Sequence, residues 1–182
     1  KSGLSGRAEI IREKGTDRLK FLRGEIDKYT WVDKGSSYIL SDILSAVLFH
    51  QLKHAKKIQL KRKKLWENYH IKLKDWCDKN DIIQPIVPSH CKQTFHMYYL
   101  LLPNYVSRNK LINYLSKLQI KANSHYQPLH NSPFAKKFLN HKINNCPVSN
   151  DISQRIIRLP LFYNMTAKQQ LKVLNDIVTF RC

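Results

Sequence analysis

The stretch Gly35-Ser-Ser-Tyr-Ile-Leu-Ser-Asp42 runs straight into an apolar helix pattern over residues 43–52. A loop that opens a helix offers hydroxyls and free backbone N–H groups, and the helix dipole adds partial positive charge there. Such a place suits an anionic group such as phosphate. These residues alone leave a second interpretation open, because Ser41 also suits a helix cap and Ser36 and Ser37 also suit a turn.

The composition is that of a globular chain. Its 182 residues are 42% apolar and 10% aromatic, which is enough for a hydrophobic core. We expect no membrane span, because no apolar run reaches about 18 residues, and no secretion signal is visible. The four cysteines form no CxxC pair and the eight histidines show no metal-ligand spacing. This pattern indicates a reducing cytoplasm and predicts no metal site.

The charge is strongly positive, with 32 Lys and Arg against 13 Asp and Glu. A balance of +19 is typical of proteins that bind nucleic acid or an anionic membrane surface. The densest basic run, over 53–64, nevertheless has a helical period, with an apolar stripe on one side and lysines on the other. We therefore interpret it as the solvated face of an amphipathic helix, and nucleic acid is not the favoured partner.

The pattern of the first half predicts helices joined by irregular chain. A short helix is predicted over 7–14, ended by Gly15, and residues 16–40 are predicted to be mostly irregular. One long amphipathic helix, which can bend along its length, is predicted from about 42 to 76. Its length suits a connector between two lobes.

The pattern beyond residue 78 is mixed and predicts a small α/β domain. Strands are predicted over 82–87, which Pro85 interrupts, over 94–102, where residues 95, 97, 99 and 101 alternate, and over 120–125. Helices are predicted over 108–118 with Ser107 as the cap, over 134–139 and over 151–157. The last helix follows the capping box Thr166-Ala-Lys-Gln169, and residues 140–150 are predicted to be a loop.

Several separated motifs occur in one order along the chain. They are Arg7-Ala-Glu-Ile-Ile-Arg-Glu-Lys-Gly-Thr-Asp-Arg18, Asp27-Lys-Tyr-Thr-Trp31, Arg62-Lys-Lys-Leu-Trp66 with Tyr69, His125-Tyr-Gln-Pro-Leu-His130 and Arg158-Leu-Pro-Leu-Phe-Tyr-Asn164. This ordered set resembles the DegT/StrS family of pyridoxal-phosphate-dependent sugar aminotransferases. Within the family, the chain is most similar to members that aminate TDP-4-keto-6-deoxy-D-glucose for enterobacterial common antigen, a surface polysaccharide.

The resemblance implies an α/β fold, the C-terminal part of a fold-type-I aminotransferase with a long connecting helix and a small sheet flanked by helices. Residues 1–55 would form the tail of the large cofactor domain. Residues 56–182 would form the small C-terminal α/β domain with the connecting helix. The family's Schiff-base lysine lies upstream of the segment that matches Arg7, so the resemblance implies that it falls before Lys1. No catalytic residue is therefore assigned in this chain.

The resemblance assigns a cofactor contact to the loop before the apolar helix. Family members often carry asparagine, in a Gly-x-Asn-Tyr pattern, at the position that matches Ser37. That asparagine contacts the pyridoxal phosphate of the neighbouring subunit through its phosphate. A serine hydroxyl still donates to phosphate, although its reach is shorter, and Tyr38 retains the pattern. Ser37 and Tyr38 are the predicted cofactor-binding residues.

The resemblance also assigns substrate contacts, to His125, Tyr126 and His130. Two imidazoles that flank a tyrosine and a rigid proline can bind sugar hydroxyls or a phosphate, and a strand end with surface histidines is the alternative. His96 and Tyr29 are further candidates, although a core histidine is the alternative for His96. Arg62 lies inside the apolar stripe, where a guanidinium is costly unless paired, and it is predicted to form an ion pair or an interface contact.

By resemblance, the complete enzyme moves an amino group from glutamate to the 4-keto carbon of a TDP-sugar, through pyridoxamine phosphate. It would do so as a cytoplasmic homodimer, or together with a complementary N-terminal half, and this chain alone would be inactive. Two alternatives stay open: a basic module for nucleic acid or an anionic surface, and an inactive remnant. GxSxG, Walker and GxGxxG motifs are absent from the sequence.

Overall fold

The computed structural model describes residues 2–139 and 146–181. It divides into two compact units, Lys1–His54 and Ala55–Cys182. The division follows His54, a single non-helical residue between two helices. The assignment of these units to parts of a larger enzyme stays a prediction.

The first unit contains three helices: α1 (Ser2–Arg12), α2 (Arg18–Leu22) and α3 (Asp42–Lys53). The helix predicted over 7–14 is present, but it begins earlier and ends at Arg12. The prediction of mostly irregular chain over 16–40 is confirmed, since α2 is only five residues long.

Two glycines allow the chain between α1 and α3 to pack backbone against backbone. Gly15 has a φ of +78°, and a Cβ added there would lie 1.8 Å from the Asp33 carbonyl oxygen. A Cβ added at Gly35 would lie 2.1 Å from the Gly15 nitrogen. Any larger residue at either position would force these segments apart.

The first unit buries no apolar side chain among its described residues. Six large apolar side chains of α3 are between 44% and 78% exposed: Ile43, Leu44, Val47, Leu48, Phe49 and Leu52. A helix with this much apolar exposure gains almost nothing from the hydrophobic effect within this chain.

The second unit begins with α4 (Ala55–Lys72) and α5 (Lys74–Lys79). The helix predicted from about 42 to 76 is present, with the bend that the prediction allowed, as three segments (α3, α4 and α5) interrupted only at His54 and at Leu73. The His54 N–H bonds to carbonyls three and two residues back, which tightens the last turn of α3 and ends it. The lysines of α4 are exposed while Leu65 and Tyr69 are buried, as the helical pattern predicts.

Three short antiparallel strands form the sheet, in the order β1–β3–β2. They are β1 (Tyr98–Leu101), β2 (Asn123–Ser124) and β3 (Ile156–Leu159). β1 and β2 confirm parts of the strands predicted over 94–102 and 120–125. The strand predicted over 82–87 is wrong, since only Ile83 pairs, as a single bridge with Leu101. Pro85 has no N–H with which to extend the pairing.

The central strand β3 was missed by the pattern, which predicts helix over 151–157. The helix is α8 (Pro147–Arg155), and the chain turns extended at Ile156. Two β-branched residues there favour a strand, and Pro160 disfavours helical conformation in the residue before it. Three of the four β3 side chains are buried, so the burial of this apolar run outweighs its helical pattern.

The remaining helices agree with the pattern more closely. Helix α6 (Tyr105–Lys117) is capped by Asn104, whose side chain accepts from the Ser107 N–H at 2.9 Å, so the cap predicted at Ser107 is wrong. Helix α7 is Pro133–Leu139, and the capping box predicted at Thr166 is confirmed at the start of α9 (Ala167–Val178). Residues 140–145 of the predicted loop lie outside the described residues, and the rest of that range belongs mainly to α8.

The core of the second unit lies on one face of the sheet. Its buried members come from the strands and from α4, α5, α6 and α9, and include Tyr98, Leu100, Ile157, Leu159, Tyr69, Leu111, Leu115 and Ile177. The Tyr69 hydroxyl donates to the Pro160 carbonyl at 2.9 Å, which ties α4 to the end of β3. Full burial of one such aliphatic side chain contributes about 1.5–3 kcal/mol. Among the described residues, no helix is both long and apolar enough to cross a membrane.

The capping box makes a testable contribution to the stability of the second unit. Thr166 Oγ1 accepts from the Gln169 N–H at 3.2 Å, and Gln169 Oε1 accepts from the Thr166 N–H at 2.9 Å. Thr166→Ala should lower the free energy of unfolding by about 1 kcal/mol, measured by urea denaturation. Thr166→Ser keeps the hydroxyl and should stay within a few tenths of the parent. Equal losses in both variants would contradict the assignment.

Candidate functional site

Backbone hydrogen bonds hold the Ser37 loop against the end of α1. The Ser36 N–H donates to the Ile11 carbonyl at 3.0 Å, and the Tyr38 N–H donates to the Arg12 carbonyl at 3.1 Å. Ser37 therefore sits at a bridge opposite Glu13. Close contact between Gly15 and Gly35 lets the two segments approach.

The two interpretations of the loop serines are now separable. Ser41 caps α3, because its side chain accepts from the Leu44 N–H. Ser37 is exposed, and neither its hydroxyl nor its N–H has a hydrogen-bond partner among the described residues. Two free donors on one exposed residue fit a contact to a phosphate such as that of pyridoxal phosphate.

The two tyrosines predicted in the first unit are also exposed. Tyr38 is 66% exposed and Tyr29 is 51% exposed. The Tyr29 ring lies 5.7 Å from the Phe21 ring, centroid to centroid. Their predicted roles in binding cofactor and substrate stay predictions.

Arg158 lies in the middle of the sheet face that is turned away from the core. It pairs with Tyr99 of β1 on one side and with Asn123 of β2 on the other. Because side chains alternate along a strand, burial of Ile157 and Leu159 in the core places Arg158 on the opposite face. Arg158 as a residue is partly buried, and its guanidinium makes no hydrogen bond or ion pair with any other described residue.

His125 follows β2 directly and interacts electrostatically with this arginine. Burial, then the positive charge of Arg158, then His96 lower the pKa of His125 below its ordinary value. The Nδ1 atom of His125 is buried and has no hydrogen-bond partner in the described part of the chain. We call Arg158, His125 and His96 the basic cluster.

The structure thus brings two of the predicted substrate residues, His96 and His125, together. His96 is exposed just before β1, and its Nδ1 lies 2.8 Å from Thr94 Oγ1. The alternative that His96 is a core histidine is therefore wrong. Cationic and neutral nitrogen groups without a carboxylate partner favour the binding of an oxyanion.

The other predicted substrate residues of the second unit have different surroundings. Tyr126 is 80% exposed, with its ring 4.8 Å from that of His125. His130 is partly buried and bonds through Nε2 to Asn150 Oδ1 at 2.9 Å. Among the described residues, His130 is thus a structural contact as well as a predicted ligand.

Arg62 of α4 is partly buried. It makes no ion pair with any residue in the described ranges, and its buried Nε has no hydrogen-bond partner there. Of the two roles predicted for it, the interface contact stays a prediction. An unpaired buried guanidinium nitrogen is costly, so a partner beyond the described contacts would stabilise it.

Sequence reasoning placed Arg158 in a motif without assigning it to the site. The signal was present in the segment Ile156-Ile-Arg-Leu159, where one charge interrupts an apolar run. Tyr99 and Asn123 carried no signal, because only the strand register places them beside Arg158. In residues 2–139 and 146–181, no three His, Cys, Asp or Glu side chains are grouped to hold a metal ion.

Residues 2–178 match the DegT/DnrJ/EryC1/StrS aminotransferase family. The match covers nearly the whole chain, so the chain belongs to this family. Its fold, a small sheet flanked by helices and preceded by helical segments, is the one that sequence resemblance implies.

Two relatives show how much of a family member this chain spans. The uncharacterized protein MJ1066 of Methanocaldococcus jannaschii is 28% identical over 180 residues, which cover 96% of this chain and 46% of the relative. The GDP-perosamine synthase of Escherichia coli O157:H7 is 24% identical over 172 residues, which cover 90% of this chain and 44% of the relative. The chain therefore spans less than half the length of these relatives.

A solved structure has the same fold. Spr1654 from Streptococcus pneumoniae, in its PLP form, superposes with a TM-score of 0.77 at 20% identity. The superposition covers 94% of this chain and 41% of that one. At this level of identity, the superposition shows a likeness of fold alone.

The charge interaction within the basic cluster can be tested by NMR titration. Arg158→Gln removes a positive neighbour and should raise the pKa of His125, whereas Lys168→Gln, which changes a charge that does not act on His125, should leave it unchanged. In the folded state the pKa of His125 lies below the ordinary value of 6.5. The contribution of His125 to the free energy of unfolding is therefore fully present above pH 6.5. It is lost as the pH falls toward the folded pKa, and Arg158→Gln should reduce that loss. An unchanged His125 titration in Arg158→Gln would contradict the geometry.

Proposed function

We propose that this chain is the C-terminal portion of a pyridoxal-phosphate-dependent nucleotide-sugar aminotransferase. One observation carries the proposal: Arg158, partly buried on the sheet face turned away from the core, interacts electrostatically with His125, and its guanidinium has no hydrogen-bond or ion-pair partner among the described residues. An unpaired guanidinium at such a place is suited to a substrate oxyanion.

The chemistry of the basic cluster supports oxyanion binding. A guanidinium presents a planar fork that matches a carboxylate or a phosphate through two parallel hydrogen bonds. Because its pKa is lowered, His125 is mainly neutral near pH 7 and can both donate and accept. A bound oxyanion would relieve the repulsion between Arg158 and a protonated His125. Glutamate and a sugar nucleotide both bear oxyanions, so this cluster can serve each substrate in turn.

We propose TDP-4-keto-6-deoxy-D-glucose as the acceptor and glutamate as the amino donor. The ordered motifs support the acceptor, and the relationship to a GDP-perosamine synthase supports a nucleotide sugar in general. Exposed Tyr126, adjacent to His125, provides a hydroxyl and a ring face for the sugar nucleotide. The product would enter the synthesis of a surface polysaccharide in the cytoplasm.

Pyridoxal phosphate, when bound, carries the amino group from donor to acceptor. The Ser37 hydroxyl and N–H are the groups of this chain that would hold its phosphate, together with Tyr38. The family pattern places that cofactor in a neighbouring subunit, so this role requires a dimer. Because the serine side chain is shorter than that of asparagine, the contact of Ser37 with the phosphate would be weaker or bridged by water.

We further propose that a cofactor domain covers the apolar surface of the first unit. Six exposed apolar side chains on α3, and the lack of buried ones among residues 2–54 that the structure describes, leave this unit without a hydrophobic core of its own. Family members are more than twice as long as this chain. The covering domain would belong to the same polypeptide or to a complementary N-terminal half, and it would carry the lysine that binds the cofactor.

The polypeptide of residues 1–182 should not transaminate by itself. Mixed with pyridoxal phosphate, glutamate and TDP-4-keto-6-deoxy-D-glucose, it should release no aminated sugar, as followed by mass spectrometry. The physical reason is the proposed absence of the cofactor-binding lysine from these residues. Turnover in the absence of any other polypeptide would overturn this part of the proposal.

A chimera tests the positive part of the proposal. Residues 1–182 would replace the matching segment of the E. coli GDP-perosamine synthase, and cofactor absorbance and dimer mass would report correct assembly. The chimera should use glutamate, and Arg158→Gln should raise the KM for substrate by about 10-fold or more, the effect of losing one charge-assisted hydrogen bond. Ser37→Ala should instead weaken cofactor retention.

The matched control in the chimera is Lys168→Gln, which removes a surface charge from α9. It should leave both KM values and cofactor retention unchanged. If an assembled chimera transaminates while Arg158→Gln leaves both KM values at the parent level, the role of the basic cluster is wrong. If an assembled chimera with bound cofactor transfers no amino group to any 4-keto sugar nucleotide, the proposed function is wrong.

A further inference from the structure

A cavity of about 380 Å³ lies in the second unit between α6, the segment around Gln127 and α8. Its walls carry a guanidinium, several side-chain amides and a hydroxyl, while none of the described residues that line it is acidic. Neither the basic cluster nor the Ser37 loop uses the side chains that matter here, which are Arg108, Gln127, Asn150 and Gln154.

Arg108 is held in place on two sides. Its Nε donates to the Gln154 carbonyl at 2.9 Å, and its guanidinium carbon lies 4.9 Å from the centre of the Tyr105 ring. Its two terminal nitrogens have no hydrogen-bond partner among the described residues. The positioned group therefore retains up to four N–H donors for a ligand.

The Asn150 side chain is oriented by His130 and Asn131, which follow Gln127 along the chain. Its Oδ1 accepts from Asn131 Nδ2 and is 2.9 Å from His130 Nε2. Since Oδ1 is the acceptor of the first bond, His130 carries its proton on Nε2 and donates the second. The amide NH₂ of Asn150 has no described partner and is left to donate. His130 thus fixes a donor group of the cavity.

The cavity is therefore rich in donors, and no carboxylate belongs to its described lining. The side-chain amides of Gln127 and Gln154 add further donors without described partners. The acid closest along α8, Asp151, is paired with Arg155 at 3.2 Å and does not line the cavity. An oxyanion with several terminal oxygens satisfies such a set, and a neutral apolar ligand does not.

We propose that this cavity is a phosphate-binding site, with Arg108 as the charged anchor and Asn150 as an oriented donor. Phosphate supplies a tetrahedral set of acceptors, and a volume of about 380 Å³ leaves room for a small body attached to it. The site is independent of the transaminase proposal, because its lining includes no residue of the basic cluster or of the Ser37 loop. Free phosphate and a sugar phosphate share this chemistry.

The test is an NMR titration of the 182-residue chain with inorganic phosphate and, separately, with glucose 1-phosphate. The side-chain resonances of Asn150 and Gln154 and the Arg108 Nε–H should shift and saturate. Arg108→Gln should weaken binding by about tenfold or more, since a charge-assisted contact is lost. Lys110→Gln, an exposed change on the same helix, should alter the affinity by less than about twofold.

A second variant keeps the proposal testable if Arg108→Gln fails to fold. Asn150→Asp keeps the acceptor for His130 and Asn131 but introduces a carboxylate, so it should abolish phosphate binding while amide dispersion stays at the parent level. Tighter binding of glucose 1-phosphate would identify a sugar phosphate as the occupant, and equal binding would identify free phosphate. No saturable shift at millimolar ligand, or equal weakening by Arg108→Gln and Lys110→Gln, would overturn the proposal.

Discussion

The alternation of four residues in the central strand controls the chemistry of the second unit. Burial of Ile157 and Leu159 against helices on one face leaves Arg158 no place except the opposite face. Two neighbouring strands then flank it by register. Each buried aliphatic side chain contributes about 1.5–3 kcal/mol, so the fold can hold a guanidinium without an ion pair at this position. The core thus supports a sheet face on which positively charged Arg158 has no carboxylate partner among the described residues.

The first unit follows a different principle. Its chain geometry is determined locally, by the close approach of Gly15 and Gly35 and by the Ser41 cap, and not by a hydrophobic core. The exposed apolar side chains of α3 therefore contribute little to the stability of this unit by themselves. The exposed Ser37 loop is nevertheless well positioned, because backbone hydrogen bonds hold it against the end of α1.

Pattern analysis predicted the elements whose signals are local and missed those decided by tertiary contacts. The Thr166 capping box needs only two residues three positions apart, Thr166 and Gln169, and it was predicted correctly. The β1 pattern alternates at 95, 97, 99 and 101, but the core takes Tyr98 and Leu100, because both faces of this strand are apolar. Similarly, the pattern predicts helix over the first two residues of β3, where burial and pairing with two other strands reinforce the local preference for extended chain. The site residues divide in the same way. Resemblance predicted His96 and His125 as site residues, whereas only the strand register shows where Arg158 lies.

The most direct test of the account is the response of the Arg158 side chain to substrate oxyanions. In ¹⁵N NMR of the 182-residue chain, TDP and glutamate should each shift the Arg158 Nε–H resonance in a saturable way and raise the pKa of His125. Both effects follow if the oxyanion binds between these two side chains. A ligand-independent Arg158 resonance, with a His125 titration that neither compound changes, would contradict the claim that this face of the sheet binds substrate.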